Sequence, residues 1–343
     1  MKTAGNERLI LGTWDPIRLT SHHHVMSEVL ETQLHRNEQS RSAIAHRLEQ
    51  ETADWLGAED AVVLGSRDIA VQDLVRNLFS RSDVLLADPA LHPGVVSHPF
   101  VESFRHNRPS TWQAAHLGSG GFGLLAAGVQ PDSGGVVPLD QLFEALLGEV
   151  GPDQIVLDET RSIGVIGVQG RGAADLFGLT ERISLRFMDF QRGLGGGGTC
   201  VVGPRRLVER IRERASETPP ADELRTALAC VLVARSPEGE LLRERLRNNC
   251  AYLQGGLADI GLVSTSLGGR PGACDSPAVG VTISDVALAS LWLRELDQRG
   301  VAAALGEWNG QFILSFLPTT AHSHEQLDHV IDVVSAVHQV LPR

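Results

Sequence analysis

The sequence predicts an α/β protein with a large domain followed by a smaller one. Three observations carry this reading. The apolar fraction is 42% while aromatics make up only 5%, and Ala, Leu, Val and Gly dominate, a balance that suits close packing of helices on a sheet. Short apolar runs of strand length recur at residues 61–64, 84–87, 154–158, 199–202, 279–283 and 312–316. Stretches with apolar residues at helical spacing lie between them.

Element by element, residues 1–40 are mixed and polar, with a short apolar piece at 9–11, and look like an arm leading into helix. Ile44, Leu48, Trp55 and Leu56 give 42–56 an amphipathic helical pattern. A strand follows at 61–64, then a turn at Gly65-Ser66, and helical periodicity returns over 69–78. The strand at 84–87 ends at Asp88-Pro89. Residues 117–122 form a loop, 123–129 continue as strand or linker, and 139–147 are helical. QIVLD at 154–158 is a buried strand ending in a carboxylate, 182–187 alternates weakly, and 193–198 is a glycine-rich turn. Pro204 opens a charged surface helix over 204–215. One long helical region spans about 222–257, and helices are predicted at 286–299 and 324–341. The expected organisation is an arm (1–41), a large domain (42–240) and a small domain (241–343).

At 343 residues the length allows two or three domains of about 150 residues each. The net charge of −12 argues against nucleic acid or an anionic membrane as a partner, because both require a basic face. Cys200, Cys230, Cys250 and Cys274 are widely spaced without a CxxC pair, and read as ordinary reduced thiols. No signal peptide and no apolar stretch of about 18 residues is visible, so no membrane span and a cytoplasmic location are expected. The chain has one lysine, Lys2, against 29 arginines.

The segment IVLDETRSIGVIGVQGRGAADLFGL (155–179) carries a GxxGxxGRG spacing at Gly164, Gly167, Gly170, Arg171 and Gly172. It resembles the α-oxoamine synthase family, fold-type I enzymes that use pyridoxal phosphate (PLP) to condense an amino acid with an acyl-CoA. LEQETADWLGAEDAVVL (48–64), DPALHPGVV (88–96), MDFQRGLGGGGTCVVG (188–203) and LPTTAHSHEQLDHVI (317–331) resemble further family segments. The resemblance implies a mostly parallel seven-stranded sheet in the large domain, a small C-terminal α/β domain and a dimer.

It also implies roles for particular residues. His92 matches the histidine that stacks on the PLP ring, and Asp158 the aspartate that pairs with the pyridine nitrogen. Arg192 stands at the lysine that binds PLP covalently, and a guanidinium cannot form that imine. No covalent cofactor is therefore expected, and PLP binding is in doubt. Arg161 replaces a histidine beside the PLP hydroxyl. Ser66-Arg67-Asp68 stands where a Ser-Gly-Phe turn offers backbone N–H groups to the phosphate, and Asp189 replaces a phosphate-binding threonine. Ala127 and Pro131 replace polar residues, Trp14 an asparagine, and Ile313 lies near the arginine that holds the substrate carboxylate. Ser216 and Thr218 match a segment that reaches across the dimer interface to the phosphate.

Without a pyridinium, Asp158 needs another cation, and Arg192 or Arg161 is expected to supply it. Two readings of the three arginines expected to line the old pocket, Arg67, Arg161 and Arg192, stand side by side. They plug the old pocket with ion pairs, or they bind a new anion such as a carboxylate, a phosphate or an acyl-carrier phosphopantetheine. Three functions follow. The first is a non-catalytic subunit of a heterodimeric acyltransferase beside a lysine-bearing paralogue, as in the lysine-lacking subunit of eukaryotic serine palmitoyltransferase. The second is a PLP-independent acyl-transfer enzyme of a specialised biosynthetic pathway, using His92 with Arg161 and Arg192 on an acyl-CoA or acyl-carrier substrate. The third is a homodimeric binding or regulatory pseudoenzyme.

Other features read as structural. His22, His23 and His24 lack an acidic or cysteine partner at metal-site spacing, and no metal is expected. The 193–198 glycines lack a phosphate-loop ending. Residues 243–247 read as a solvated helix face, and Cys200 as a buried thiol.

Overall fold

The computed structural model describes residues 8–12, 14–34, 40–79, 83–89, 91–92, 95, 98–112, 122–147, 154–214, 218–262, 264–266, 276–308 and 310–341. Lys2, the loop 117–121, Ser216 and Cys274 lie outside them. The chain divides into two compact units. One comprises 19–129 and 137–240, the other 1–18, 130–136 and 241–343.

In chain order the strands are β1 (Leu9–Ile10), β2 (Asp60–Leu64), β3 (Val84–Ala87), β4 (Val101–Ser103), β5 (Phe122–Ala127), β6 (Gln154–Asp158), β7 (Leu185–Asp189) and β8 (Thr199–Gly203). They continue as β9 (Ser264–Ser266), β10 (Val279–Ile283), β11 (Val301–Ala302), β12 (Ala304–Trp308) and β13 (Gln311–Phe316). The first five helices are α1 (His23–Leu34), α2 (Arg41–Leu56), α3 (Arg67–Leu78), α4 (Leu139–Leu147) and α5 (Ala173–Leu176). The others are α6 (Arg205–Arg212), α7 (Ala221–Ala234), α8 (Pro237–Asp259), α9 (Val286–Gln298) and α10 (His324–Val340).

The large unit is built on a seven-stranded sheet in the order β2-β8-β7-β6-β5-β3-β4. The pairs from β7 through β4 are parallel, and β8 runs antiparallel to both β7 and β2. Strands covered on both faces read as continuous apolar runs, which is why FGLLAA and QIVLD are buried almost throughout. Val71, Leu74 and Val75 of α3 pack with Leu207, Val208 and Ile211 of α6 and with the strand residues Val62, Leu85, Val156 and Val201. Each such side chain contributes about 1.5–3 kcal/mol by leaving water. Ser40 caps α2 by accepting from the Ala43 N–H, and Gly57 closes it in the left-handed conformation (φ 67°).

Two expectations change. The arm reading of residues 1–40 misses α1, whose Val25 is fully buried and which packs on α7. The weak periodicity of HHVMSEVLETQL, with Met26 and Leu30 exposed, hides it. The single long helix expected over 222–257 is two helices, α7 and α8, parted at Arg235-Ser236. Pro237 is the cause: it has no N–H to continue the ladder of α7 but fits the first turn of a new helix.

The smaller unit has an antiparallel sheet in the order β12-β13-β10-β9 and a parallel β1-β11 pair. Ile313 and Leu317 pack with Ala278, Trp14 and Trp308. Asn249 of α8 donates from Nδ2 to the carbonyls of Thr319 (2.8 Å) and His322 (3.1 Å), fastening the turn before α10. Ser323 and Gln326 form a reciprocal cap at the start of α10. No described helix is long and apolar enough to cross a membrane.

Candidate functional site

Asp158 ends β6 at the carboxyl edge of the sheet, where ligands of open α/β sheets collect. It is 7% exposed, and its two oxygens are separately occupied. Oδ1 accepts from the Thr160 N–H at 2.9 Å, and Oδ2 from Nη2 of Arg67 at 2.7 Å. Arg67 opens α3, and its guanidinium reaches back across to the sheet edge. A cation at a helix N-terminus meets an unfavourable dipole, so Asp158 is what stabilises it there. The same Nη2 lies 3.1 Å from the Leu91 carbonyl and 3.2 Å from Nδ1 of His92. Burial pushes the Asp158 carboxyl up, but Arg67, His92 and Thr160 together outweigh it and hold the group below its ordinary value.

An arginine only donates, so His92 Nδ1 accepts and its proton sits on Nε2. That Nε2 is buried without a hydrogen-bond partner. Burial, with Arg67 adding to it, drives the His92 pKa down to about 3, so the ring is neutral. His106 packs edge-on to His92, with ring centroids 6.4 Å apart. The Ala127 N–H donates to its Nε2 at 2.8 Å, so its Nδ1–H points to Asp88 Oδ2 at 3.2 Å. Asp88 also accepts from the His106 N–H (3.1 Å) and from Arg105 (3.2 Å). Burial lowers the His106 pKa against the opposing pull of Asp88.

A second buried ion pair underlies the glycine motif. Glu159 accepts from the N–H groups of Ala173 (2.8 Å) and Ala174 (3.0 Å) at the start of α5, from Ser162 Oγ, and from Arg186 Nε at 3.2 Å. Gly172 has φ 98°, and a Cβ there would stand 2.6 Å from Glu159 Oε2. The motif thus wraps the loop closely around a buried carboxylate.

The structure therefore brings Arg67, His92 and Asp158 together. The cation on Asp158 is Arg67, and neither Arg192 nor Arg161 as expected from the sequence. Arg192 follows β7 in a turn, is 55% exposed, and places Nε 3.7 Å from Asp189. Arg161 is half-buried and Ser66 exposed. Asp189 is buried, accepts from the Gln191 N–H at 3.0 Å, and is pushed up by its burial. Thr218 is half-buried. Ile313 is a core residue of the smaller unit. Cys200 is buried, which raises its thiol pKa.

Sequence reasoning missed His106 and Arg186. For His106 no local signal exists. Arg186, between Leu185 and Phe187 in a strand, carried one: a cation in a buried strand needs a carboxylate.

No protein-family model matches the chain. Among curated proteins it is 29% identical over 303 residues to a serine palmitoyltransferase of Caulobacter vibrioides, covering 83% of this chain and 72% of that protein. It is 28% identical over 312 residues to an 8-amino-7-oxononanoate synthase of Methylococcus capsulatus, covering 86% and 78%. Among solved structures, a serine palmitoyltransferase of Sphingomonas wittichii superposes with a TM-score of 0.82 at 20% identity, over 98% of this chain and 89% of that one. An 8-amino-7-oxononanoate synthase of Francisella tularensis superposes with a TM-score of 0.75 at 20% identity, over 98% and 99%. The fold is that of the fold-type I PLP-dependent transferases, and the chain is similar in sequence, along most of its length, to enzymes of the α-oxoamine synthase family.

Proposed function

We propose that this chain is a cofactor-free member of its family, acting as a non-catalytic subunit beside a lysine-bearing relative. The observation that carries the reading is the buried Arg67–Asp158 pair at 2.7 Å. In the family, the carboxylate at this position pairs with the pyridine nitrogen of PLP. Here that oxygen already has a cation, and a second positive group beside Arg67 would be repelled. The residues present do not fit the cofactor in other respects. His92 gives its Nδ1 to Arg67, Asp189 adds a carboxylate where a phosphate would sit, and the only lysine is Lys2. Replacing the family glycine by Arg67 accounts for two losses at once, the bare phosphate turn and the free carboxylate.

With the ring plane of His92 buried and neutral, acid–base work near neutrality has no support at this position. A chain of this fold without cofactor chemistry retains the means to complete and stabilise a partner. Acyl-CoA or acyl-carrier chemistry then belongs to the lysine-bearing chain.

Native mass spectrometry of the complex, purified gently from its source cells, tests this. The expected species pairs this chain with a similarly sized relative that carries PLP. A self-associated chain without PLP would overturn the subunit role and leave the closed pocket. A self-associated chain loaded with PLP would overturn both.

A further inference from the structure

The histidine run read as a simple helix start acquires a distant acidic partner in the fold. His22 precedes α1, and His23 and His24 form its first turn. Glu238 lies in the first turn of α8, 216 residues away from His22, within the same unit. His22 Nε2 is 3.0 Å from Glu238 Oε1, and His24 Nε2 is 3.6 Å from Oε2. One ligand atom each from His22, His23 and Glu238 lies within 4.8 Å of the others. The His22 and His23 ring centroids are 4.5 Å apart, and those of His23 and His24 4.1 Å.

Three imidazoles around one carboxylate occur on many surfaces as a plain hydrogen-bonded cluster. One feature goes further. The His22 side chain is only 10% exposed, so its Nε2, the atom that faces Glu238, is held in position to share an ion with that carboxylate.

We propose that His22, His23 and Glu238 bind a divalent transition-metal ion of the zinc class, with His24 placed to join them, and that the ion ties α1 to the first turn of α8. Two nitrogens and one carboxylate form a set that zinc uses with a fourth position open to water. Magnesium and calcium call for oxygen ligands throughout. Ligands of a tetrahedral ion with bonds of about 2.0–2.1 Å lie about 3.3 Å apart. The exposed His23 and His24 have the rotamer freedom to close that far.

The test is isothermal titration of Zn²⁺ into the untagged full-length chain after chelator treatment and dialysis, with Co²⁺ absorption as a second readout. One Zn²⁺ per chain at micromolar affinity or tighter is expected, with the visible bands of tetrahedral cobalt. Glu238→Gln and His22→Ala should each weaken binding at least about tenfold, while His46→Ala, at an exposed histidine of α2, leaves it unchanged. Glu238 is partly exposed, so Glu238→Gln remains informative if His22→Ala fails to fold. No stoichiometric binding by the wild type, or equal binding by Glu238→Gln, would overturn the proposal.

Discussion

Glu159→Ala is expected to lower the stability of the large unit by at least about 4 kcal/mol. Arg186 would be left as a buried cation whose remaining partner is the Arg171 carbonyl. Removing one member of a buried pair costs about 3–5 kcal/mol. The Ala173 and Ala174 N–H groups would lose their acceptor as well, at about 1–3 kcal/mol for each unsatisfied donor, partly offset where water enters the space left behind. Glu159→Gln keeps a carbonyl acceptor for α5 and should cost less. Urea unfolding followed by circular dichroism reads both. A loss below about 1 kcal/mol for Glu159→Ala would mean that the carboxylate does not hold the glycine loop.

Arg67→Ala should cost about 3–5 kcal/mol at neutral pH by the same logic, because Asp158 would lose its arginine partner and keep its bonds to Thr160. The pH dependence separates this from simple loss of packing. In the wild type the Asp158 pKa is lowered on folding, so its contribution is present above about pH 4, the unfolded value, and lost as pH falls through the folded pKa. Without Arg67, burial alone raises that pKa above the unfolded value. The sign then reverses: stability is greatest below the unfolded pKa and falls as pH rises through the folded one. The deficit of Arg67→Ala should therefore be smaller near pH 4 than near pH 7, and adding Asp158→Asn should recover part of it. A deficit independent of pH, with no recovery, would show that the ion pair does not close the site. In the wild type His92 adds an acid-side loss, since its pKa falls from about 6.5 unfolded to about 3 folded.

Most of the large unit was legible because its strands are buried on both faces and follow the apolar runs closely, Val84–Ala87 and Gln154–Asp158 to the residue. What stayed hidden was set by tertiary contact. α1 has little periodicity of its own and is held by α7. The break at Ser236-Pro237 was visible as a proline but was overridden by the apolar pattern on either side. In the site, Asp158 and His92 were singled out by resemblance, and the fold puts His92 Nδ1 3.8 Å from Asp158 Oδ2. The cation between them was not, because nothing local distinguishes Arg67 from Arg161 or Arg192: only the topology, with α3 starting beside the end of β6, selects it. The His22–Glu238 contact is hidden for the same reason, as its halves are separated by nearly the whole large unit.

We propose that the Arg67–Asp158 ion pair takes the place that PLP holds in the α-oxoamine synthases. Equilibrium dialysis of the purified wild-type chain against PLP, with absorbance and bound phosphate measured after exchange into buffer, tests it most directly. No stoichiometric PLP should remain with the chain. Retention of one PLP per chain would contradict the claim and would mean that Arg67 leaves Asp158 when the cofactor arrives.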